Sequence, residues 1–169
     1  MEGFNHENLG QLLEWSPTVI VVEEIFETVD SLGIKIDGVV SKNLSYAAQP
    51  ETIVIHTEDD PLQDALKYLT GEQYPAVNII ADSFSAKDYA VYIDRIDIVV
   101  LTPHQKIFPV KPGFSKWQTA GEEIEVLLEA HNLHVSGLIP ITEHIFETEK
   151  EGFYTLTFEQ PFTFIAETL

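Results

Sequence analysis

The order of apolar and polar positions changes character midway along the chain. Leu9, Leu12, Leu13 and Trp15 recur at helical spacing and predict an amphipathic helix over residues 6–15, with Trp15 on its core face. Ser16-Pro17 ends it, because the residue before proline is pushed out of the α region. Thr18–Val22 is a β-branched run suited to a strand covered on both faces. Ile25, Phe26, Val29 and Leu32 return to helical spacing, and Gly33 supplies the stop. Strands follow over Ile34–Val40 and Thr52–His56, with a polar loop over 41–50 between them. Asp60-Pro61 reads as an N-cap followed by proline at the first helical position, opening a helix over 61–69. Ala76–Ala81 is a fourth strand. Strands separated by helices at this spacing predict a parallel sheet with covering helices.

The second half is strand-rich. Residues 96–101, 106–110, 124–128, 133–141, 144–148 and 153–158 favour strands, and Phe153–Phe158 alternates strictly. Turn signals separate them at Pro103-His104, Pro112-Gly113, Ala120-Gly121 and Glu151-Gly152. This predicts an antiparallel sandwich or small barrel, with the boundary near residues 101–105. No internal repeat or low-complexity segment is visible.

Charge narrows the function classes. The 169 residues carry 9 Lys+Arg against 28 Asp+Glu, a net charge of −19, and the acid is spread over both halves. Nucleic acids and anionic membranes need a dense cationic face, so neither is an expected partner. There is no cysteine, hence no disulfide, thiolate nucleophile or Cys-ligated zinc. The first residues have neither a basic nor an apolar stretch, so a signal peptide is not expected. No apolar run approaches the roughly 20 residues that cross a bilayer. A cytoplasmic protein is the expectation.

Ligands of open parallel sheets sit beyond the carboxyl ends of the strands. There the sequence places Glu23-Glu24, Ser41-Lys42-Asn43, Glu58-Asp59-Asp60 and Asp82-Ser83. Acids at three of four strand ends could gather around Mg²⁺, a hard ion that takes oxygen ligands. The same acids suit helix starts, where they cap and meet the dipole. No glycine-rich phosphate cradle is present. Lys42 and Lys87 are the cations nearest the strand ends. His131 and His134 lie three apart, on opposite faces of any strand, and make a weak metal pair. Trp117, beside Lys116, is a candidate for stacking a ligand ring.

The order of parts resembles thiamine pyrophosphokinase. The resemblance runs through Thr18–Val40, Pro61–Leu66, Pro103–Lys111, Gly121–Leu128, Gly137–Ile141 and Gly152–Ala166. It implies an α/β chain: an N-terminal parallel α/β domain over 1–101, then a C-terminal antiparallel β-sandwich domain over 102–169. It also implies Mg²⁺ and ATP as cofactors, thiamine or a related small molecule as ligand, and a homodimer with the ligand between subunits. The motifs depart from the family's pattern. Asp-Gly after the first strand is Glu23-Glu24 here, and Gly-Asp-x-Asp-Ser falls around Ser41-Lys42-Asn43. Asp-x-Thr-Asp falls on Glu58–Pro61 and keeps an acid as Glu58. Gly-Gly-Arg-x-Asp-His falls on Phe84–Tyr89 and keeps Asp88. The C-terminal Ser-Asn signature is not found.

The acids kept by the resemblance imply Glu58 and Asp88 as catalytic residues, and the strand-end acids Glu58, Asp60 and Asp82 are the candidate metal ligands. Lys42, Lys87 and Trp117 would hold the cofactor or ligand. Three readings follow. The first is a thiamine pyrophosphokinase-like protein that has lost catalysis and acts as a dimeric binding or regulatory module. The second in rank is a scaffold whose crevice is plugged by side chains such as Phe84 and Tyr89. The third is an active pyrophosphokinase with a rebuilt site.

Overall fold

Gly38–Ser41 is buried at all four positions, as a strand flanked on both edges must be. The structure, a computed structural model, describes residues 6–43 and 51–169. The 41–50 loop expected from sequence lies outside the described residues from 44 onward. In chain order the first elements are helix α1 (His6–Leu13), strand β1 (Ile20–Val22), a 3-10 turn (Glu23–Ile25), helix α2 (Phe26–Ser31), β2 (Gly38–Ser41), β3 (Ile53–His56) and helix α3 (Pro61–Gly71). β1, β2 and β3 form a parallel sheet in that order. Gly38 stands between Ile20 and Ile53 on the two neighbouring strands, and a Cβ there would meet both side chains at 3.2 Å. α3 packs on β2 and β3 and buries Leu66 and Leu69, each worth about 1.5–3 kcal/mol of transfer free energy. These elements form one compact unit ending at Pro75.

α1 stops at Leu13, and Trp15 is 88 % exposed rather than in the core. Ser16, which must precede Pro17, takes a left-handed backbone with φ of 49°. The helix therefore ends before its stripe reaches Trp15.

The second unit runs from Ala76 to Leu169. It holds β4 (Ala76–Ile80), the short helix α4 (Ala86–Tyr89), β5 (Asp97–Leu101), β6 (Gln105–Val110), β7 (Phe114–Gln118), β8 (Glu123–Val126), β9 (His134–Ser136), β10 (Leu138–Pro140), β11 (Ile145–Thr148), β12 (Gly152–Thr157) and β13 (Thr163–Thr168). One sheet has the order β10-β11-β8-β13-β6-β5-β4, with only β4 and β5 parallel. A second has the order β7-β12-β9 and is antiparallel. Between them lies an apolar layer that includes Ile124, Val126, Leu156, Phe158 and Ile165.

Sheet membership differs from the sequence expectation in several places. β4, expected as the fourth strand of the first sheet, belongs to the seven-stranded one. The boundary expected near residues 101–105 falls inside that sheet, because β5 turns tightly into β6. Thr102 N donates to Gln105 O at 2.9 Å, which closes the hairpin. The single strand expected over 133–141 is two strands in different sheets. Gly137 separates them with φ of 74°, and a Cβ there would sit 2.7 Å from Phe153 O. Only glycine takes that turn at that approach. β7 was not expected at all, since Lys111–Gly113 and Thr119–Gly121 gave its surroundings the composition of a loop.

No helix among the described residues is long and apolar enough to cross a membrane.

Candidate functional site

The strand ends of the first unit are tied together by short local bonds. Ser41 closes β2 and is 1 % exposed. Ser41 Oγ donates to Glu23 Oε2 at 2.5 Å and accepts from Asn43 N at 2.9 Å. Two of the sequence candidates, the acid after β1 and the serine after β2, therefore meet. The bond joins the ends of neighbouring strands and occupies one oxygen of Glu23. Lys42, next in the chain, is exposed.

After β3 the backbone passes through Thr57, Glu58 and Asp59 to Asp60. Asp60 Oδ1 accepts from Gln63 N at 3.1 Å, the expected N-cap, with Pro61 in the first turn. Glu58, Asp59 and Asp60 are exposed. Thr57 is 3 % exposed, and its hydroxyl has no partner at hydrogen-bonding geometry. It still lies near Asp64, whose carboxyl is held below the usual carboxylate range, first by the bond from Lys67 Nζ at 2.9 Å and then by Thr57.

In the second unit the segment after β4 carries Asp82, Lys87 and Asp88. Asp82 and Lys87 are exposed and Asp88 is half-buried in α4. The rings on either side of them point inward. Phe84 stacks on Tyr89 with centroids 5.3 Å apart and planes 3° from parallel. The Phe84 ring also meets Phe164 of β13 edge-on at 5.1 Å. Tyr89 is 2 % exposed, and burial pushes its phenol up.

Among the described residues no three His, Asp or Glu side chains come together closely enough to hold a metal ion. Asp60 spends one oxygen on its helix, and Glu58 and Asp82 are exposed. Trp117 lies in a strand and is 46 % exposed, directly opposite Phe153, which is 71 % exposed. His131 and His134 are both exposed. His131 lies outside β9, whereas His134 is in it, so they do not form a pair on one strand.

An open groove of about 440 Å³ in the second unit is lined by Glu125–Glu129, Glu143 and His144. None of these was a sequence candidate, because the two segments are brought together only by the β8–β11 pairing. A second feature also escaped the sequence. Glu167 of β13 is 7 % exposed and accepts from Lys116 Nζ at 2.5 and 2.6 Å on its two oxygens. Tyr154 Oη and Gln118 Nε2 donate to Oε1 at 3.3 and 3.4 Å. Burial, and then the Glu167 charge, push the Tyr154 phenol strongly upward.

The solved structures with the same architecture are informative. Thiamine pyrophosphokinase from Bacillus subtilis is 15 % identical, with 89 % of this chain and 87 % of that chain covered and a TM-score of 0.64. Thiamin pyrophosphokinase from Geobacillus thermodenitrificans is 13 % identical, with 99 % and 94 % covered and a TM-score of 0.72. The enzyme from Candida albicans is 8 % identical, with 89 % and 82 % covered and a TM-score of 0.62. No family model and no curated protein sequence matches the chain. At these identities the likeness is one of fold. This mixed α/β chain of several sheets, with mostly antiparallel strands, has a thiamine pyrophosphokinase-like fold.

Proposed function

We propose that the protein is a thiamine pyrophosphokinase-like protein without pyrophosphoryl transfer, acting as a dimeric binding or regulatory module for thiamine or a related small molecule. The observation that carries this reading is the packing of Phe84 on Tyr89 and Phe164. The resemblance places a Gly-Gly-Arg-x-Asp-His segment there. Phosphoryl transfer needs donors and cations aimed at developing charge. The half-buried Phe84 ring and Ala86, at the arginine position, supply neither, and Tyr89 is buried. The strand-end acids support the same reading, since Glu23 and Asp60 serve the fold locally.

The dimer rests on charge. The outward face of β7-β12-β9 carries the opposed pairs Trp117–Phe153, Ser115–Thr155 and His134–Thr157. None of these is Asp, Glu, Lys or Arg. Copies of a chain with net charge −19 repel each other over most of their surfaces, and an uncharged aromatic face is where they can meet. Phe153→Glu should convert a dimer to a monomer in sedimentation. An unchanged sedimentation coefficient would remove this face from the proposal.

Calorimetry with thiamine, thiamine diphosphate and Mg·ATP, run beside an AMP-release assay, tests the function. The expected result is heat of binding for thiamine or its diphosphate without AMP. AMP release above blank would establish an active enzyme with a rebuilt site. Silence toward all three compounds would leave the scaffold reading.

A further inference from the structure

Three residues of one sheet converge on a single residue of the facing sheet. Lys116 and Gln118 stand on β7 and Tyr154 on β12, with Lys116 and Tyr154 directly opposed. Their donors all reach the Glu167 carboxylate on β13. Around them the inter-sheet layer is apolar, from Phe114 and Leu156 to Ile124 and Ile165. Lys116 Nζ lies 5.6 Å from the Phe108 ring centroid, and Lys106, the register partner of Glu167 on β6, places its Nζ 5.9 Å from the same ring.

Aliphatic and aromatic layers tolerate repacking and lose uniqueness before they lose stability. A buried charge does not. Sliding one sheet past the other by one inward-facing position moves side chains about 7 Å. That would take Lys116, Gln118 and Tyr154 away from Glu167 and leave only Lys106 of its own sheet nearby, which is costlier than repacking methyl groups. Removing both charges together avoids that cost.

We propose that the Lys116–Glu167 pair, with Tyr154 and Gln118, is an alignment latch. It selects one seating of the three-stranded sheet on the seven-stranded sheet and adds little to the depth of the well. The latch therefore governs specificity of packing, and with it the shape of the exposed outer face carried by the small sheet.

The test uses the whole chain and the double variant Lys116→Met/Glu167→Met. It should fold with a urea midpoint no lower than wild type. Its aromatic NMR signals from Phe108, Phe114 and Tyr154 should double or broaden. Amide exchange in β7 and β12 should quicken about tenfold while β6 and β13 stay protected. A single sharp set of signals with wild-type exchange would overturn the latch. So would a loss of midpoint in the double variant as large as in Lys116→Met alone, which would make the pair a source of stability. If the double variant fails to fold, Glu167→Gln keeps the side-chain shape and carries the same readouts. Doubled signals in it support the latch, and a wild-type spectrum overturns it.

Discussion

Ser41, at the end of β2, and Glu167, near the end of β13, are both buried polar residues, 1 % and 7 % exposed. Their surroundings differ. Ser41 meets one carboxylate from the neighbouring strand end, a short bond between elements close in sequence order. Glu167 meets donors from a facing sheet, 49–51 residues away in the chain for Gln118 and Lys116. The apolar interiors divide the same way. The largest fully buried side chains of the first unit are Ile36, Leu66, Val39 and Val40, whereas the second unit buries Tyr89, Tyr154 and Phe164. The first unit is built from aliphatic strand–helix packing with polar ties at its strand ends. The second adds buried rings to aliphatic side chains such as Ile107, Ile124 and Leu156, and holds one charge between its sheets.

That contrast is broken first by cutting a ring. Phe164 is fully buried and makes edge contacts with Phe84 at 5.1 Å and Phe162 at 5.8 Å. Phe164→Ala should cost about 3–5 kcal/mol, read from urea unfolding, because a large cavity is left among rigid rings. A cost near 1 kcal/mol would mean that Phe84 and Phe162 collapse into the space, and the contrast in packing would lose its force.

Gly137 comes next. It lets the chain leave the small sheet after β9 and enter the large one at β10. Gly137→Ala adds a Cβ 2.7 Å from Phe153 O at a φ of 74°. Strain of this kind costs on the order of 1–3 kcal/mol. Its effect should appear as faster amide exchange at β9 and β10 before the rest of the unit opens. Uniform exchange would show that the sheet switch is not a weak point.

Much of this layout was legible in the sequence because local signals agreed with global ones. Asp60-Pro61 announced α3, and the β-branched runs announced β1 to β3. Trp15 misled because its helical spacing continued past the residue where Ser16-Pro17 forces the chain out of the helix. β7 was hidden because flanking turn residues dominated its composition, although Phe114, Lys116 and Gln118 alternate with Ser115 and Trp117. The sheet switch at Gly137 could not be read, since it depends on the backbone of Phe153, which is remote in sequence. The strand-end acids were legible, and so was the capping role of Asp60, but not the bond from Ser41 to Glu23, which joins strand ends 18 residues apart. Glu167 was invisible for a different reason: among 28 acids nothing local marks the one that is buried.

The polar ties of the first unit should each be worth less. Asp60→Ala removes the cap on Gln63 N and should cost about 1 kcal/mol, with α3 fraying at its first turn. A loss matching that of Phe164→Ala would equate the two units.

The smallest effect, and the sharpest in form, is a dependence on pH. Asp37 sits just before β2, where its Oδ1 accepts from Lys35 Nζ and its Oδ2 from Val19 N at 3.0 Å, fixing the entry to β1. The Lys35 bond, and then the backbone bond, hold the carboxyl below its usual range. A group with a depressed folded-state pKa contributes stability that is present above its unfolded value of about 3.9 and is lost as pH falls through the folded value. Asp37→Asn cannot titrate. The difference in urea midpoint between wild type and Asp37→Asn should therefore be constant and in favour of wild type above about pH 5, and should shrink steadily on acidification below pH 4. Lys35 is 76 % exposed at its side chain, so added salt should weaken its part of the difference and leave the part that comes from Val19 N. If high salt abolished the difference altogether, Asp37 would be a surface charge with no hold on the sheet. If salt left it untouched, the backbone bond alone would be the tie, which places this carboxylate with Ser41 and Asp60 among residues that serve the fold at the strand and helix ends of the first unit.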